Sequence, residues 1–180
     1  MVYELDLPQI LSIKVKRLKN EQITLPENIR YVPIDFTKDV LFEKLEEAGY
    51  SSSERSLFLW EGVTEYLTDA AVDSTMRSIR DNAPPGSFLA FSYIYRSVVD
   101  GTREYYGTKK ILKTVAGTGE LYRFGIPEGE IETFLSDRGY RLVRHLTAED
   151  LEGTYLTDDE GRLHERICGH NCVALSQVAP

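Results

Sequence analysis

The chain has 180 residues, 42% hydrophobic and 28% charged, with a formal net charge of -8. That length and balance suit one soluble globular domain with a sizeable core. No apolar run approaches the roughly 20 residues a membrane helix needs, and the acidic surplus argues against a nucleic-acid partner.

The start, Met-Val-Tyr-Glu-Leu-Asp, lacks the basic-then-apolar order of a signal peptide. Two cysteines are too few for a disulfide framework, so a reducing cytoplasm is the expected location.

Strand-like runs alternate with helical patterns. Val2 to Leu5 reads as a short strand ending in Asp6. Pro8 opens a helix with Leu11, Val15 and Leu18 on one face, and Lys14, Lys16, Arg17 and Lys19 on the other. Tyr31 to Ile34 reads as a second strand, ending in Asp35. A helix with Leu41 and Leu45 inward follows, closed by Gly49. Leu57-Phe58-Leu59-Trp60 is a continuous apolar run, the pattern of a parallel strand covered on both faces, and it ends in Glu61. Thr68 is placed to cap a helix presenting Val72, Met76 and Ile79. Pro84-Pro85-Gly86 reads as a turn and Phe88 to Tyr93 as a fourth strand.

This rhythm predicts an α/β domain with a parallel sheet. Residues 95 to about 120 then read as helical, with a Gly117-Thr118-Gly119 loop. Pro127 and Gly139 bracket a helix carrying Ile131, Phe134, Leu135 and Arg138. Tyr140 to Leu146 and Ile167 to Ser176 read as the last strands, with an acidic, turn-rich segment, 147–164, between them. No repeat or linker divides the chain, so residues 1–180 are read as a single domain.

Three successive strands end in an acid: Asp6, Asp35 and Glu61. Ligands of open α/β sheets bind outside the carboxyl ends of the strands, and an acid after the second strand characteristically accepts from ribose hydroxyls. Asp6 and Asp35 are equally suited to capping the helices that follow. A nicotinamide cofactor and S-adenosylmethionine (SAM) both present a ribose to that edge. His164, Cys168, His170 and Cys172 are metal-ligand types. The last three are spaced by two, however, and on one strand face they converge poorly on an ion, so no metal is assigned. His145 reads as a structural histidine, and the acids from Glu149 to Glu160 as a solvated loop.

The run Val-Tyr-Glu-Leu-Asp-Leu-Pro-Gln-Ile-Leu-Ser-Ile-Lys (2–14) resembles the second-strand motif of the leucine carboxyl methyltransferase family, which includes many bacterial SAM-dependent O-methyltransferases. Tyr31-Val-Pro-Ile-Asp-Phe36 resembles its next motif, and Leu57-Phe-Leu-Trp-Glu-Gly-Val-Thr-Glu-Tyr-Leu67 the motif after its fourth strand. Pro85-Gly86-Ser87 and Phe124-Gly-Ile-Pro127 fit the later pattern.

The resemblance implies a Rossmann-like methyltransferase sheet with helices on both faces. It implies that Asp6, with Glu4, holds the ribose of SAM. Asp35 and Phe36 would flank the adenine, and Glu61 would accept from the ammonium group of the methionine part. Lys14 matches a family position where pairing with a surface acid is a sufficient role. The family's first strand and glycine-rich loop lie before residue 1, and the first glycine here is Gly49. The expectation is therefore an N-terminally truncated member, without the backbone cradle for the methionine end. An unpaired sheet edge would remain, to which a second copy or a partner could add a strand.

The implied acceptor is a carboxylate or hydroxyl, on a small molecule or a protein terminus. An ionised carboxylate needs no general base, whereas a hydroxyl does. Residues 95 to 125 fall where the family inserts its substrate cover. Tyr93, Tyr95, Tyr105, Tyr106 and Arg123 are candidates to line the acceptor pocket, although the tyrosines could simply pack the insert. No catalytic residue is assigned. The alternative to an active O-methyltransferase is an inactive remnant serving as a binding or assembly module. A nicotinamide-dependent oxidoreductase rests on one acid alone.

Overall fold

Among the described residues six strands form, and they divide between two sheets. β1 (Val2–Asp6) pairs in parallel with β2 (Ile29–Pro33). β3 (Leu57–Trp60), β4 (Phe88–Ile94), β5 (Tyr140–Leu146) and β6 (Asn171–Val178) make the second sheet, in the order β3-β4-β6-β5. β3 and β4 are parallel, and β6 runs antiparallel to β4 and β5. This computed structural model describes residues 1–36, 38–118 and 121–180.

The helices start where local chemistry allows. α1 (Pro8–Asn20) has proline in its first turn, where a missing N–H costs nothing. α2 (Leu41–Glu47) is followed by Gly49 at φ +89°, a conformation that favours glycine. α3 (Asp69–Asn82) is capped by the Thr68 hydroxyl, which accepts from Ala71 N–H at 3.2 Å. α4 (Arg96–Val99) and α5 (Thr108–Thr118) follow β4, and α6 (Ile131–Ser136) precedes β5.

Alternation along the strands sets the core. Leu89, Phe91 and Tyr93 of β4 share a face with Ser176, Ala174 and Cys172 of β6, their register partners, and all are buried. That face packs against Phe42 and Leu45 of α2, Val72, Met76 and Ile79 of α3, and Ile131 and Leu135 of α6. Tyr3 and Leu5 of β1 join the same core. Glu4, of opposite parity, reaches α1 instead, pairing with Lys14 at 2.5 Å. Helices therefore lie on both faces.

The second sheet is covered unevenly. Phe58 and Trp60 face the core, but Leu57 and Leu59 on the other face of β3 are 58% and 76% exposed. The continuous apolar run of β3 thus marks a strand covered on one side only. Among the described residues β1 pairs only with β2, and β3 only with β4. What joins the two sheets is a seam of rings: Tyr3 on Tyr50 at 5.7 Å, Tyr50 on Phe42 at 5.6 Å, and Phe42 on Phe58 at 6.1 Å between centroids.

Several expected boundaries move. β2 begins at Ile29, two residues early. β6 begins at Asn171 rather than Ile167, because the Ile167 N–H goes to the Glu152 carboxylate at 2.8 Å instead of to a strand. The acidic segment 147–164 contains α7 (Ala148–Tyr155), started by a reciprocal capping box between Thr147 and Asp150. Gly117 lies in α5 rather than in a loop, and Gly119 falls outside the described residues. Arg138 lies past the end of α6, where it covers the Phe134 ring at 3.7 Å and pairs with Asp73 at 2.6 Å.

Candidate functional site

Asp6 closes β1, Asp35 follows β2 by two residues, and Glu61 follows β3 directly. The Asp6 carboxylate accepts from Leu7 N–H at 2.7 Å. Asp35 pairs with Lys38 at 2.6 Å, and its N–H donates to Asp39 at 2.8 Å. Phe36 is half-buried against the core, and Glu61 is exposed. Glu4 is held by Lys14, the surface pairing expected for that lysine.

Two straps then cross the end of β4. The first is the turn after β3. Gly62 N–H donates to Ser92 Oγ at 2.8 Å, and the fully buried Thr64 hydroxyl donates to Ser92 O at 2.6 Å. The second is the stretch 123–127. Arg123 N–H donates to Glu65 O at 2.7 Å, and Ile126 N–H to Ile94 O at 3.0 Å. Gly125 makes that crossing possible, since a Cβ there would stand 2.8 Å from Arg96 N and 2.9 Å from Ile94 O. β6 starts beside the end of β4, with Asn171 opposite Ile94, so His170 sits on the same edge.

Three buried side-chain atoms have no hydrogen-bond partner among the described residues: Trp60 Nε1, Glu65 Oε2 and His170 Nε2. Trp60 is the last residue of β3, Glu65 follows it by five, and His170 flanks β4. All three therefore gather at the carboxyl ends of β3 and β4. A buried unpaired polar atom costs about 1–3 kcal/mol, so such a cluster suits groups held ready for a ligand. Burial pushes the Glu65 carboxyl above, and the His170 imidazole below, its ordinary value.

The tyrosine candidates separate. Tyr93 and Tyr95 are core residues, 2% and 8% exposed, and burial raises both phenols. The Tyr93 hydroxyl meets His145 Nε2 at 2.9 Å, which gives that histidine its structural role. Tyr105 lies half-buried beside His170, whereas Tyr106 is 53% exposed under Arg166. Arg123 points its side chain to solvent and enters the site through its backbone.

Sequence reasoning weighed His170 only as a metal-ligand type and passed over Glu65, Thr108 and Tyr122. Nothing in the spacing of those four marks them as neighbours. Of His164, Cys168, His170 and Cys172, only Cys172 lies on β6, so the single strand face does not form. No metal-ligating group of three is present among the described residues. Two shallow surface hollows, of about 250 and 370 Å³, are lined by Asp73, Arg77, Arg80, Asp137 and Arg138 and by residues of α1, away from this edge.

His145 and His170 carry a pH consequence. Burial lowers both from the ordinary 6.5. The unfolded chain therefore takes up protons that the folded chain refuses once pH falls below about 6.5. Their stabilising effect is complete above that value and is lost as pH falls. Urea midpoints are expected to drop between about pH 7.5 and pH 5.5, and less so in His145→Phe. Asp150 and Asp158 are lowered carboxylates, held down first by the backbone N–H groups of Thr147 and Arg162 respectively; their loss belongs to a lower pH window.

Comparison with known proteins gives likenesses for parts of the chain. Residues 1–80 match the family model of the leucine carboxyl methyltransferases. The chain is 26% identical over 162 residues to YktD of Bacillus subtilis (strain 168), which bears the name of an S-adenosyl-L-methionine-dependent methyltransferase; the match covers 90% of this chain and 53% of YktD. The chain thus spans about half the length of that relative. Two solved structures share its fold at a TM-score of 0.64, each covering 99% of this chain. They are a protein from Thermobifida fusca YX titled as a methyltransferase, at 15% identity with 63% of it covered, and a duf574 family protein from Streptomyces avermitilis, at 16% with 65% covered. At those identities the likeness is one of fold, that of Rossmann-like methyltransferases. The family match covers the first 80 residues, somewhat under half of the chain, and is to the leucine carboxyl methyltransferases.

Proposed function

We propose that this chain carries the nucleoside side of the SAM site and the methyl-acceptor side of an O-methyltransferase. The observation that carries this reading is the carboxyl edge itself. It bears acids at three strand ends and the three buried, unpartnered atoms of Trp60, Glu65 and His170. The donor set fits the cofactor. Carboxylates accept from ribose hydroxyls, an adenine amine and an ammonium group, and Phe36 offers a ring for the adenine to pack on. Asp6 with Glu4 takes the ribose, Asp35 and Phe36 the adenine, and Glu61 the ammonium. When bound, SAM supplies an electrophilic methyl group. The protein's task is to align the acceptor and exclude water, and the straps 62–66 and 123–127 lie where such a cover is needed.

Among the described residues no helix is long and apolar enough to cross a membrane, and both cysteines are free. Calorimetric titration of the folded chain with SAM tests the reading. Saturable binding is expected, weakened about tenfold or more by Asp6→Asn or Asp35→Asn. A folded chain that binds no SAM would overturn it and favour the second reading, an assembly module, to which the split between the two sheets points.

A further inference from the structure

The chemistry around His170 defines the acceptor, on the reading of the chain as a methyltransferase. The imidazole is fully buried. Its Nδ1 lies 3.0 Å from Thr108 Oγ1, and that same oxygen accepts from Tyr105 N–H at 3.1 Å. Thr108, itself buried, begins α5 and fixes the ring from one side. A hydroxyl oxygen has two lone pairs, so Thr108 can accept from both Tyr105 N–H and His170 Nδ1–H. In the tautomer with the proton on Nδ1, Nε2 presents a bare lone pair, and it has no partner among the described residues.

A second aromatic neighbour of the imidazole is Tyr122. It packs between Tyr66, at 5.5 Å, and His170, at 6.4 Å between centroids, while Tyr105 closes on the imidazole from 6.5 Å. Glu65, with its own unpartnered Oε2, acts on the Tyr122 phenol as well. Tyr122 therefore packs on His170 and lies within the electrostatic reach of Glu65, two of the three residues with an unmatched buried polar atom.

We propose that the methyl acceptor is an uncharged phenol that displaces Tyr122 and presents its O–H to Nε2 of His170. The walls left behind, Tyr66, Tyr105 and the imidazole, are flat and aromatic, and suit a ring of that size. The charges around them disfavour a carboxylate. Glu65 would repel it, and His170 is held neutral by burial. The nearby arginines are already engaged: Arg96 with Asp69, Arg103 with Glu128, and Arg166 with Glu152 at 3.6 Å. Arg123 is exposed. Cys168, whose Sγ would lie 2.8 Å from a Cβ at Gly107, backs the turn that carries Tyr105, Tyr106 and Thr108.

A neutral hydroxyl needs a base, and Nε2 is placed to be one. The phenol oxygen forms the new O–CH3 bond with a lone pair. The S–CH3 bond breaks with its electrons on sulfur, and the phenolic proton passes to His170 Nε2. An aryl methyl ether and a neutral thioether result, with the proton left on the imidazole.

The test needs no cofactor. Tyr122→Ala is titrated with p-cresol, toluene and p-toluate, followed in amide NMR spectra. The expected result is p-cresol binding at least about tenfold tighter than either of the others. Adding His170→Phe should bring p-cresol down to the level of toluene. Equal binding of p-cresol and toluene, preference for p-toluate, absence of any binding, or a preference that survives His170→Phe overturns the proposal. Should Tyr122→Ala not fold, the wild-type chain is titrated while the imidazole nitrogens are observed. There p-cresol must shift His170 Nε2 and toluene must not; an unmoved Nε2 overturns the proposal. Phenol binding at His170 without SAM binding would sink only the methyltransferase reading. SAM binding without it would sink only the acceptor assignment.

Discussion

Phe91→Ala is expected to destabilise the chain by about 3–5 kcal/mol. Phe91 is 1% exposed at the centre of β4. It stands opposite Trp60 on one side and Ala174 on the other, and its ring lies 5.9 Å from that of Tyr93. Ala174 is small, so the opposite strand has no side chain that can swing in to refill the space. The neighbours Trp60 and Tyr93 are themselves wedged, in β3 and against His145. The cavity would persist, and the cost is then transfer plus void rather than transfer alone. A typical domain holds about 5–15 kcal/mol in total, so a third or more of the stability is at stake. Urea unfolding followed by circular dichroism reads the change as a lower midpoint at unchanged slope. A loss below about 1 kcal/mol would mean that α2 and α3 collapse onto the gap.

Concentration-dependent association in sedimentation velocity is the second large effect expected, and Leu59→Lys should suppress it. Leu59 and Leu57 are 76% and 58% exposed on β3, whose outer edge pairs with no described strand. Val2 on β1, and Ile10 and Ile13 on α1, add further exposed apolar surface. Unpaired backbone groups beside apolar side chains template strand addition, and a single edge lysine is an effective block. The occupant we propose is a second copy of the chain. Wild type is expected to shift to faster-sedimenting species as concentration rises, with Leu59→Lys remaining monomeric. A wild type that stays monomeric throughout would remove the proposal.

Much of this was legible in the sequence because the signals were local. Val72, Met76 and Ile79 repeat at helical spacing, and Thr68 stands where a cap belongs, so α3 is found where expected. Strands β1, β3 and β5 need no knowledge of their neighbours to be read. The misreadings were non-local in part. Ile167 resembles strand, yet its N–H is taken by Glu152, fifteen residues earlier. The acids of 147–164 suggested a solvated loop, although Thr147 and Asp150 carry the spacing of a capping box and Glu152 is buried. Leu57 to Trp60 looked covered on both faces because composition cannot say whether a covering helix is present. The acids of the proposed nucleoside side could be picked out because each ends or closely follows a strand. The proposed acceptor side could not, since Glu65, Thr108, Tyr122 and His170 come from four separate segments that meet only after folding.

The aromatic seam between the sheets has a consequence for how the chain comes apart. The β1–β2 ribbon is tied to the larger sheet by rings and by α2, and among the described residues no strand ladder runs between them. Side-chain packing, rather than backbone hydrogen bonding, therefore decides when it opens. Such a ribbon is a cooperative unit of its own, able to detach while β4 and β6 stay paired. The acids that close its strands, Asp6 and Asp35, then answer to a lower local stability than His170 does. The two sides of the proposed site would be held with unequal firmness. A ligand gripping the ribbon would stabilise this chain chiefly by locking its weaker half to its stronger one.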